Sequence, residues 1–319
     1  MSAAGGPTVG IDVGGTKLLG VVLSAAGDVL HERRLPTPTG AESVVASLAE
    51  LVAQLDEGSG TELPVGVGAP GLVDSTGRVL FAPNLPGVRD FPLAQRLSAT
   101  LDGRPVVVDN DATCAGLGEV VHGVAQGTSY ALMVTLGTGI GGGIVMEGRP
   151  LRGANGFAGE FGHMVVDPSG PLCPCGRRGC WERYASGSGL GRLAREAAHA
   201  GQGRRLVAMA GGDPEAVRGE HVTAAAAEGD TQARAVIERF AWWLAMGLAN
   251  LANAFDPEVI VIGGGLIESA EVLMEATRSS LVEQVEAGPI RPLIRLEAAG
   301  LGERAGAVGA AVMARPGDR

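Results

Sequence analysis

The stretch TVGIDVGGTKLLGVVL, Thr8–Leu23, joins two runs of apolar and β-branched residues through the turn GGTK at residues 14–17. The runs predict strands at Thr8–Val13 and Leu18–Leu23, and a third run at Val29–Leu35 extends them to an antiparallel meander. Glycine has no Cβ, so successive backbone N–H groups of such a turn can approach an anion closely. Residues 14–17 are therefore a candidate phosphate-binding loop.

The same construction occurs twice more in the chain. A strand predicted at Tyr130–Leu136 leads into GTGIGGG at 137–143, and a further apolar run follows at Ile144–Met146. A strand predicted at Val259–Ile262 leads into GGG at 263–265. A single glycine turn is most often no more than a turn, but three that each follow an apolar strand favour a nucleotide site.

Two common nucleotide-binding motifs are excluded. The chain has no G-x-x-x-x-G-K-[ST] sequence, so the P-loop motif is absent. Residues 137–142 match G-x-G-x-x-G, but a β-run follows them in place of the long helix that the dinucleotide fingerprint requires.

Helices and buried strands alternate between the glycine turns. The spacing of apolar residues predicts a helix at Glu42–Leu55, and short apolar runs predict buried strands at Pro64–Gly68 and Pro105–Asp109. Asn110–Val121 predicts a helix that opens on good capping residues, and a last helix is predicted at about Gly306–Met313. The pattern indicates an α/β fold.

Two domains are expected, because the strand–glycine turn–strand unit occurs once near the start of each half. The boundary is predicted near residue 120. The smaller N-terminal α/β domain would comprise residues 1–120 and be joined by the C-terminal helix, about 304–319. The larger α/β domain would comprise residues 121–303.

Composition excludes several classes of partner. The net charge of −10 and an aromatic content of 3% oppose nucleic-acid binding. The N-terminus shows no signal-peptide pattern, and no run reaches the roughly 20 apolar residues of a membrane span. The most apolar candidate, Val236–Phe255, contains Glu238 and Arg239 and is expected to be a buried helix. We therefore expect a cytoplasmic protein without a membrane partner.

The sequence VVVDNDATCAG places Asp109, Asn110 and Asp111 where a predicted buried strand turns into a helix. These residues could simply cap the helix, as Asn and Asp often do. A carboxylate fixed at the end of a strand could also be the general base that accepts a proton from a substrate hydroxyl. The local pattern leaves both interpretations open.

Three of the four cysteines lie within eight residues, in CPCGRRGC at 173–180. A disulfide, a reactive thiol pair and a metal site are the alternatives. Cys-x-Cys is too close for an easy disulfide, and a reactive pair is more typically Cys-x-x-Cys. Three thiolates and one imidazole form a closed, structural Cys₃His zinc site, and His163 lies ten residues before Cys173.

These motifs resemble those of a known family. The segments DVGGTK, GTG and GGG are similar to the phosphate and adenosine loops of the actin/hexokinase ATPase superfamily. ExGH followed by CxCGxxGCxE, from Glu160 to Glu182, matches the signature of the ROK family of bacterial sugar kinases at every fixed position. From Val9 to Ala311 the chain resembles this family, particularly its actinobacterial-type glucokinases. The resemblance implies a two-domain actin/hexokinase-like ATPase fold with an interdomain cleft and a zinc-stabilised loop, 160–182, in the larger domain.

The resemblance also implies residue roles. Asp111 would be the catalytic base, and Asp12 would help to hold Mg²⁺. The glycine loops would bind ATP through Asp12, Gly14, Gly15, Thr16, Lys17, Gly137, Thr138, Gly139, Gly264 and Gly265. The sugar would contact Gly71, Asn84, Asn110, Asp111, Glu160, His163 and Glu182. Structural Zn²⁺ would be held by His163, Cys173, Cys175 and Cys180.

The activity that the resemblance implies is ATP-dependent phosphorylation of glucose to glucose 6-phosphate. The same chemistry on N-acetylglucosamine, N-acetylmannosamine, mannose or fructose is an alternative, because the motif residues do not reveal how positions 1 and 2 of the sugar are treated. Polyphosphate as donor is disfavoured by the acidic composition. A sugar-responsive, non-catalytic ROK regulator is more remote, since only nine residues precede Gly10 and a DNA-binding segment is expected there. Family members are homodimers or homotetramers, so self-association is expected.

Overall fold

The computed structural model describes residues 6–59, 62–267 and 271–315. Its first half contains β1 (Thr8–Val13), β2 (Lys17–Leu23), β3 (Val29–Pro36), α1 (Ala41–Ser59), β4 (Val65–Ala69), β5 (Leu72–Val73), β6 (Val79–Phe81), β7 (Arg89–Phe91), α2 (Leu93–Thr100), β8 (Val106–Asn110) and α3 (Asp111–His122). The remainder contains β9 (Tyr130–Leu136), β10 (Ile140–Met146), β11 (Arg149–Pro150), α4 (Glu182–Ala185), α5 (Gly187–His199), α6 (Arg204–Met209), α7 (Gly219–Ala227), α8 (Thr231–Phe255), β12 (Val259–Gly263), α9 (Glu271–Gln284), β13 (Arg295–Ala298) and α10 (Ala305–Met313).

The chain forms two compact units. The first comprises Met1–Met133, Gly143–Gly159 and Ala299–Arg319, and the second comprises Val134–Gly142 and Glu160–Ala298. The division at residue 120 stays a prediction, and residues 316–319 of the predicted C-terminal segment lie outside the described residues.

The first unit is built on a five-stranded sheet with the order β3-β2-β1-β4-β8. β1 pairs antiparallel with β2, and β2 with β3, so the predicted meander is confirmed. β1, β4 and β8 run parallel. Their carboxyl ends therefore share one edge of the sheet, where ligands bind in open α/β folds.

Helix α10 lies directly on this sheet. A Cβ on Gly10 of β1 would overlap the carbonyl oxygen of Ala307, and a Cβ on Gly66 of β4 would overlap that of Ala310. These strand glycines have a packing role, since only a residue without a side chain lets the helix backbone approach so closely.

A second five-stranded sheet has the order β11-β10-β9-β12-β13. The strand predicted at Ile144–Met146 begins at Ile140, because Gly141–Gly143 continue the strand and do not belong to the turn. A Cβ on Gly143 would lie 2.5 Å from the carbonyl oxygen of Ala112 in α3, so this glycine is required by close backbone packing.

Elements that sequence analysis did not predict include α2, β13 and the small sheet β5-β6-β7. The predicted helix at Val236–Phe255 lies within α8, and most of its apolar side chains are buried. Among the described residues, no helix is both long enough and apolar enough to cross a bilayer.

Candidate active site and metal centre

The carboxyl end of β1 in the first unit carries Asp12 and the turn at residues 14–17. The turn is closed by a hydrogen bond from the Gly14 amide to the Lys17 carbonyl, 2.9 Å. The pKa of Asp12 is raised to about 7, mainly by burial and additionally by the nearby Asp111 carboxylate, while Lys17 opposes the rise. The structure therefore brings both Lys17 and Asp111 within electrostatic reach of Asp12.

Lys17 also has a partner outside the turn. Its ammonium group forms an ion pair with Glu303, which Arg34 contacts as well. Asn84 lies beside the turn, because a Cβ on Gly15 would be 3.6 Å from the Asn84 Cβ. The predicted nucleotide residue Gly15 and the predicted sugar residue Asn84 are thus neighbours.

The end of β8 holds Asn110 and Asp111. Asn110 caps α3, since its Oδ1 accepts from the Thr113 amide at 3.1 Å, and its Nδ2 donates to the Gly71 carbonyl at 3.1 Å. Asn110 therefore caps α3 in this structure. The separate bond from its Nδ2 brings Asn110 and Gly71 together. Asp111 is the first helical residue, and its Oδ1 accepts from the Ala112 amide at 2.8 Å.

Asp109 and Arg152 form a pair that sequence analysis missed. Asp109 is only 5% exposed, and its Oδ2 accepts from Arg152 Nε at 2.5 Å. The Asn110 amide donates to the other oxygen, Oδ1, at 2.8 Å. The two residues are 43 positions apart, and no sequence pattern relates them. This ion pair at the end of β8 is therefore evident only from the fold.

In the second unit, two glycine turns lie against each other. The loop at 137–139 is closed by a hydrogen bond from the Gly137 amide to the Gly139 carbonyl, 3.0 Å. Gly264 has a φ of +91°, and a Cβ there would overlap the carbonyl oxygen of Leu136. The turn that follows β12 thus packs against the backbone of Leu136, the last residue of β9, directly before the 137–139 loop.

A cavity of about 600 Å³ opens beside these turns, within the second unit. The cavity is lined by Gly137, Thr138 and Gly265, three of the residues that sequence analysis predicts to bind ATP. Four arginines that sequence analysis did not single out also line it, and Arg183 Nε and Arg192 Nη2 are buried without a hydrogen-bond partner. The arginines are Arg183, Arg192, Arg195 and Arg218. A cavity with such donors suits an anionic or acceptor-rich ligand.

The loop at 163–180 gathers the predicted metal ligands. All four cysteines lie among the described residues and carry free thiols, so no disulfide staples the loop. One ligand atom from each of His163, Cys173, Cys175 and Cys180 lies within 4.8 Å of the others. Cys175 Sγ and Cys180 Sγ are 3.5 Å apart, and Cys173 Sγ is 3.8 Å from His163 Nδ1.

These distances fit a zinc site. Zn–S bonds of about 2.3 Å and Zn–N bonds of about 2.0 Å place tetrahedral ligand atoms about 3.5–3.8 Å apart. The donor set is that of a closed structural zinc centre. The Cys₃His cluster is therefore compatible with structural zinc.

Two carboxylates flank the imidazole of His163. Glu182 Oε1 lies 3.8 Å from Nδ1, and Glu160 Oε2 lies 3.9 Å from Nε2. Partial burial raises the pKa of Glu160, His163 lowers it, and Glu182 raises it. The structure thus brings Glu160, His163 and Glu182 together, with one nitrogen of the imidazole toward the sulfurs and the other toward Glu160.

The neighbouring arginines bind the loop itself. Arg177 donates to the His163 carbonyl at 2.9 Å, and Arg178 donates to the Gly170 carbonyl at 3.2 Å. Next to Cys180, Trp181 is fully buried, and its Nε1 donates to the Trp243 carbonyl in α8 at 2.8 Å. These bonds tie the metal-binding loop to the helical core of the second unit.

Comparison with known proteins identifies the family. The model of the ROK family matches residues 8–316. The chain belongs to the ROK family. This ROK chain is 41% identical over 319 residues to the glucokinase of Streptomyces coelicolor, an alignment that covers 98% of the chain and 99% of that enzyme. It is 37% identical to the glucokinase of Thermotoga maritima, covering 87% of each.

Solved structures confirm the fold. A ROK family glucokinase from Streptomyces griseus, in complex with glucose and AMPPNP, matches with a TM-score of 0.83 and 40% identity over 97% of this ROK chain and 99% of that chain. The ROK hexokinase from Thermus thermophilus matches with a TM-score of 0.80 and 37% identity over 96% and 97% of the two chains. The predicted α/β fold is that of ROK glucokinases.

Proposed function

We propose that this ROK protein is a glucokinase that transfers the γ-phosphoryl group of ATP to the 6-hydroxyl of glucose. The products are ADP and glucose 6-phosphate. The observation that carries the proposal is near full-length similarity to two glucokinases, one at 41% identity and one, at 40% identity, that was solved with glucose and AMPPNP. The metal cluster and the glycine loops support it, because both are intact in this chain.

Asp111 is the proposed base. It would accept the proton of the 6-hydroxyl as the oxygen of that hydroxyl bonds to the γ-phosphorus and the bond to the ADP oxygen breaks. Its position at the first turn of α3, directly after the rigid strand β8, supports this role. Asn110, which caps the same helix and binds Gly71, would orient the sugar beside it.

Mg²⁺ would be held beside Asp12. The raised pKa of Asp12 reflects burial and repulsion from Asp111, and a divalent cation would relieve both. Carboxylate oxygen is the ligand type that Mg²⁺ prefers. Bound Mg²⁺ would supply charge neutralisation for the phosphates of ATP.

ATP would occupy the glycine loops. The backbone amides of Gly14, Gly15 and Gly137–Gly139 would bind phosphate oxygens, with Thr16, Lys17 and Thr138 as further donors. Gly265 lines the second-unit cavity, where the nucleoside would lie, and Gly264 precedes it in the same turn. The arginines of that cavity supply additional donors.

Glu160, His163 and Glu182 would bind sugar hydroxyls, together with Gly71 and Asn84. Each carboxylate can accept from two hydroxyls, which suits a neutral polyol. Zn²⁺ would be structural, held by three thiolates and His163 Nδ1, and would fix the loop that carries these groups. A cytoplasmic location would keep the cysteine ligands reduced, and self-association as a homodimer or homotetramer, which the family resemblance implies, would cover the exposed Trp242 on α8.

N-acetylglucosamine is a second candidate substrate. The chain is 34% identical over 317 residues to an N-acetyl-D-glucosamine kinase of Escherichia coli, covering 95% of the chain and 98% of that enzyme. The lower identity favours glucose.

A coupled assay of ADP release tests the proposal. The purified protein is given Mg²⁺-ATP with glucose, mannose, fructose, N-acetylglucosamine or N-acetylmannosamine, and polyphosphate replaces ATP in a parallel series. The proposal expects the largest kcat/KM for glucose with ATP. A larger kcat/KM for an N-acetylated sugar, or no turnover of any sugar, would overturn it.

A further inference from the structure

One short segment joins the metal cluster to the 137–139 loop within the second unit. It begins at Cys180, continues through α4 and reaches Ser188 at the start of α5. We propose that this segment couples the two sites, with Glu182 as the positioning residue, so that the metal and the nucleotide each strengthen binding of the other. The nucleotide half of this inference rests on the proposed function.

Glu182 fills the space between the cluster and the loop. Its Oε1 lies 3.1 Å from Cys173 Sγ and 3.8 Å from His163 Nδ1, so the carboxylate borders two of the predicted metal ligands. Its Oε2 faces Gly139, since a Cβ on Gly139 would be only 2.6 Å away. The Glu182 side chain is 17% exposed, so a shift of either site displaces it toward the other.

Two further bonds hold the loop from the far end of the segment. The Gly187 amide donates to the Gly137 carbonyl at 2.8 Å, and Ser188 Oγ donates to the Thr138 carbonyl at 2.8 Å. Every residue of the 137–139 loop is therefore contacted by one of the seven residues that follow Trp181.

The segment itself is stiff. Trp181 is fully buried, and Ser186 Oγ donates to the Glu182 carbonyl at 2.6 Å while it accepts from the Gly189 amide at 3.2 Å. A metal ion that fixes Cys180 would thereby fix the start of α4, and the position of α4 would set the shape of the loop.

Coupling of this kind is reciprocal. If the metal raises nucleotide affinity by some factor, the nucleotide must raise metal affinity by the same factor. Coupling between sites is typically about 5- to 150-fold. We expect a factor of about tenfold here.

The first experiment measures zinc affinity by equilibrium chelator competition in wild type, Gly139→Ala and Gly137→Ala, without nucleotide. Neither glycine has a left-handed φ, so both alanines are compatible with the backbone. The new methyl group meets Glu182 at residue 139, whereas at residue 137 it meets no described atom within 4 Å. We expect zinc affinity to fall about tenfold in Gly139→Ala and to stay at the wild-type value in Gly137→Ala. Equal zinc affinities in the two variants would overturn the link.

The second experiment measures AMPPNP affinity calorimetrically without sugar, in zinc-loaded Glu182→Ala and Glu160→Ala. Glu160 is the matched control, because it flanks the other nitrogen of His163 and is 44% exposed. We expect AMPPNP affinity to fall about tenfold in Glu182→Ala alone, and AMPPNP to tighten zinc binding of wild type by the same factor. Wild type that binds AMPPNP with no change in zinc affinity would overturn the coupling.

Different results would overturn the proposed function and the proposed link between the metal and the loop. Wild type that binds no AMPPNP would overturn the proposed function and the nucleotide half of the inference. A lower zinc affinity of Gly139→Ala than of Gly137→Ala would still support the link between metal and loop. Circular dichroism and the zinc content of each variant exclude global unfolding as the cause.

Discussion

Asp109, which lies two residues before Asp111, is buried and forms an ion pair with the partly exposed Arg152, whose Nε lies 2.5 Å from Asp109 Oδ2. Removing one partner of such a pair leaves an unpaired charge in a site that is 5% exposed. We expect Arg152→Ala to lower the free energy of unfolding by about 2–4 kcal/mol, as measured by denaturant titration. Asp109→Asn combined with Arg152→Ala should be less destabilised than Arg152→Ala alone. A double variant that is less stable than Arg152→Ala would contradict the pairing.

Asp111→Asn tests the proposed base. The amide is nearly isosteric but cannot accept the hydroxyl proton, so we expect kcat for glucose phosphorylation to fall at least about 100-fold. Affinity for AMPPNP and the unfolding midpoint should stay close to wild type. Asn110→Ala is the contrasting variant, since it removes the cap of α3 and is expected to cost about 1 kcal/mol of stability. Retained turnover in Asp111→Asn would remove Asp111 as the base.

Local patterns explain how much of the fold could be predicted. Strands β1, β4 and β8 of the first sheet are short, mainly apolar runs bounded by turn residues, so sequence analysis predicts them to within one or two residues. The strands of the small sheet are only two or three residues long, which is too short to show an alternation of apolar and polar residues. Their pairing depends on tertiary contacts, as does the continuation of β10 through Gly141–Gly143.

The residues of the candidate site likewise fall into those that a local sequence pattern predicts and those that only the fold brings together. The metal ligands lie within 18 residues of one another and have a characteristic spacing, so the cluster could be predicted. Arg152 and the four arginines of the cavity carry no such spacing, because a sequence does not show where a guanidinium group points. The contact of Glu182 with Gly139 is likewise a product of the fold.

Cys175→Ser tests the metal centre. We expect zinc content to fall from one equivalent to near zero, because one of the four ligands is lost, and the unfolding midpoint should fall by several degrees. Cys114→Ser is the matched control, since Cys114 is buried in the first unit and is not part of the cluster. Metal analysis by mass spectrometry and thermal unfolding measure both effects. Full zinc occupancy in Cys175→Ser would exclude that residue as a ligand.

Asp12 should make stability depend on pH. Its pKa is raised from 3.8 to about 7, mainly by burial, so the folded protein binds more protons than the unfolded chain between about pH 4 and 7. The free energy of unfolding contributed by this group therefore falls as pH rises through that window, by at most about 4 kcal/mol. Asp12→Asn should remove this fall and be more stable than wild type above pH 7 in Mg²⁺-free buffer.

Denaturant titrations from pH 4 to 8 measure this effect, with Asp102→Asn as the control. Asp102 is exposed and has a φ of +54°, a backbone conformation that asparagine tolerates well. Millimolar Mg²⁺ should restore part of the lost stability of wild type above pH 7 and have no such effect on Asp12→Asn, since the cation would replace the missing proton. A pH slope that is the same in wild type and Asp12→Asn would show that this carboxyl does not titrate in the window and would contradict the prediction.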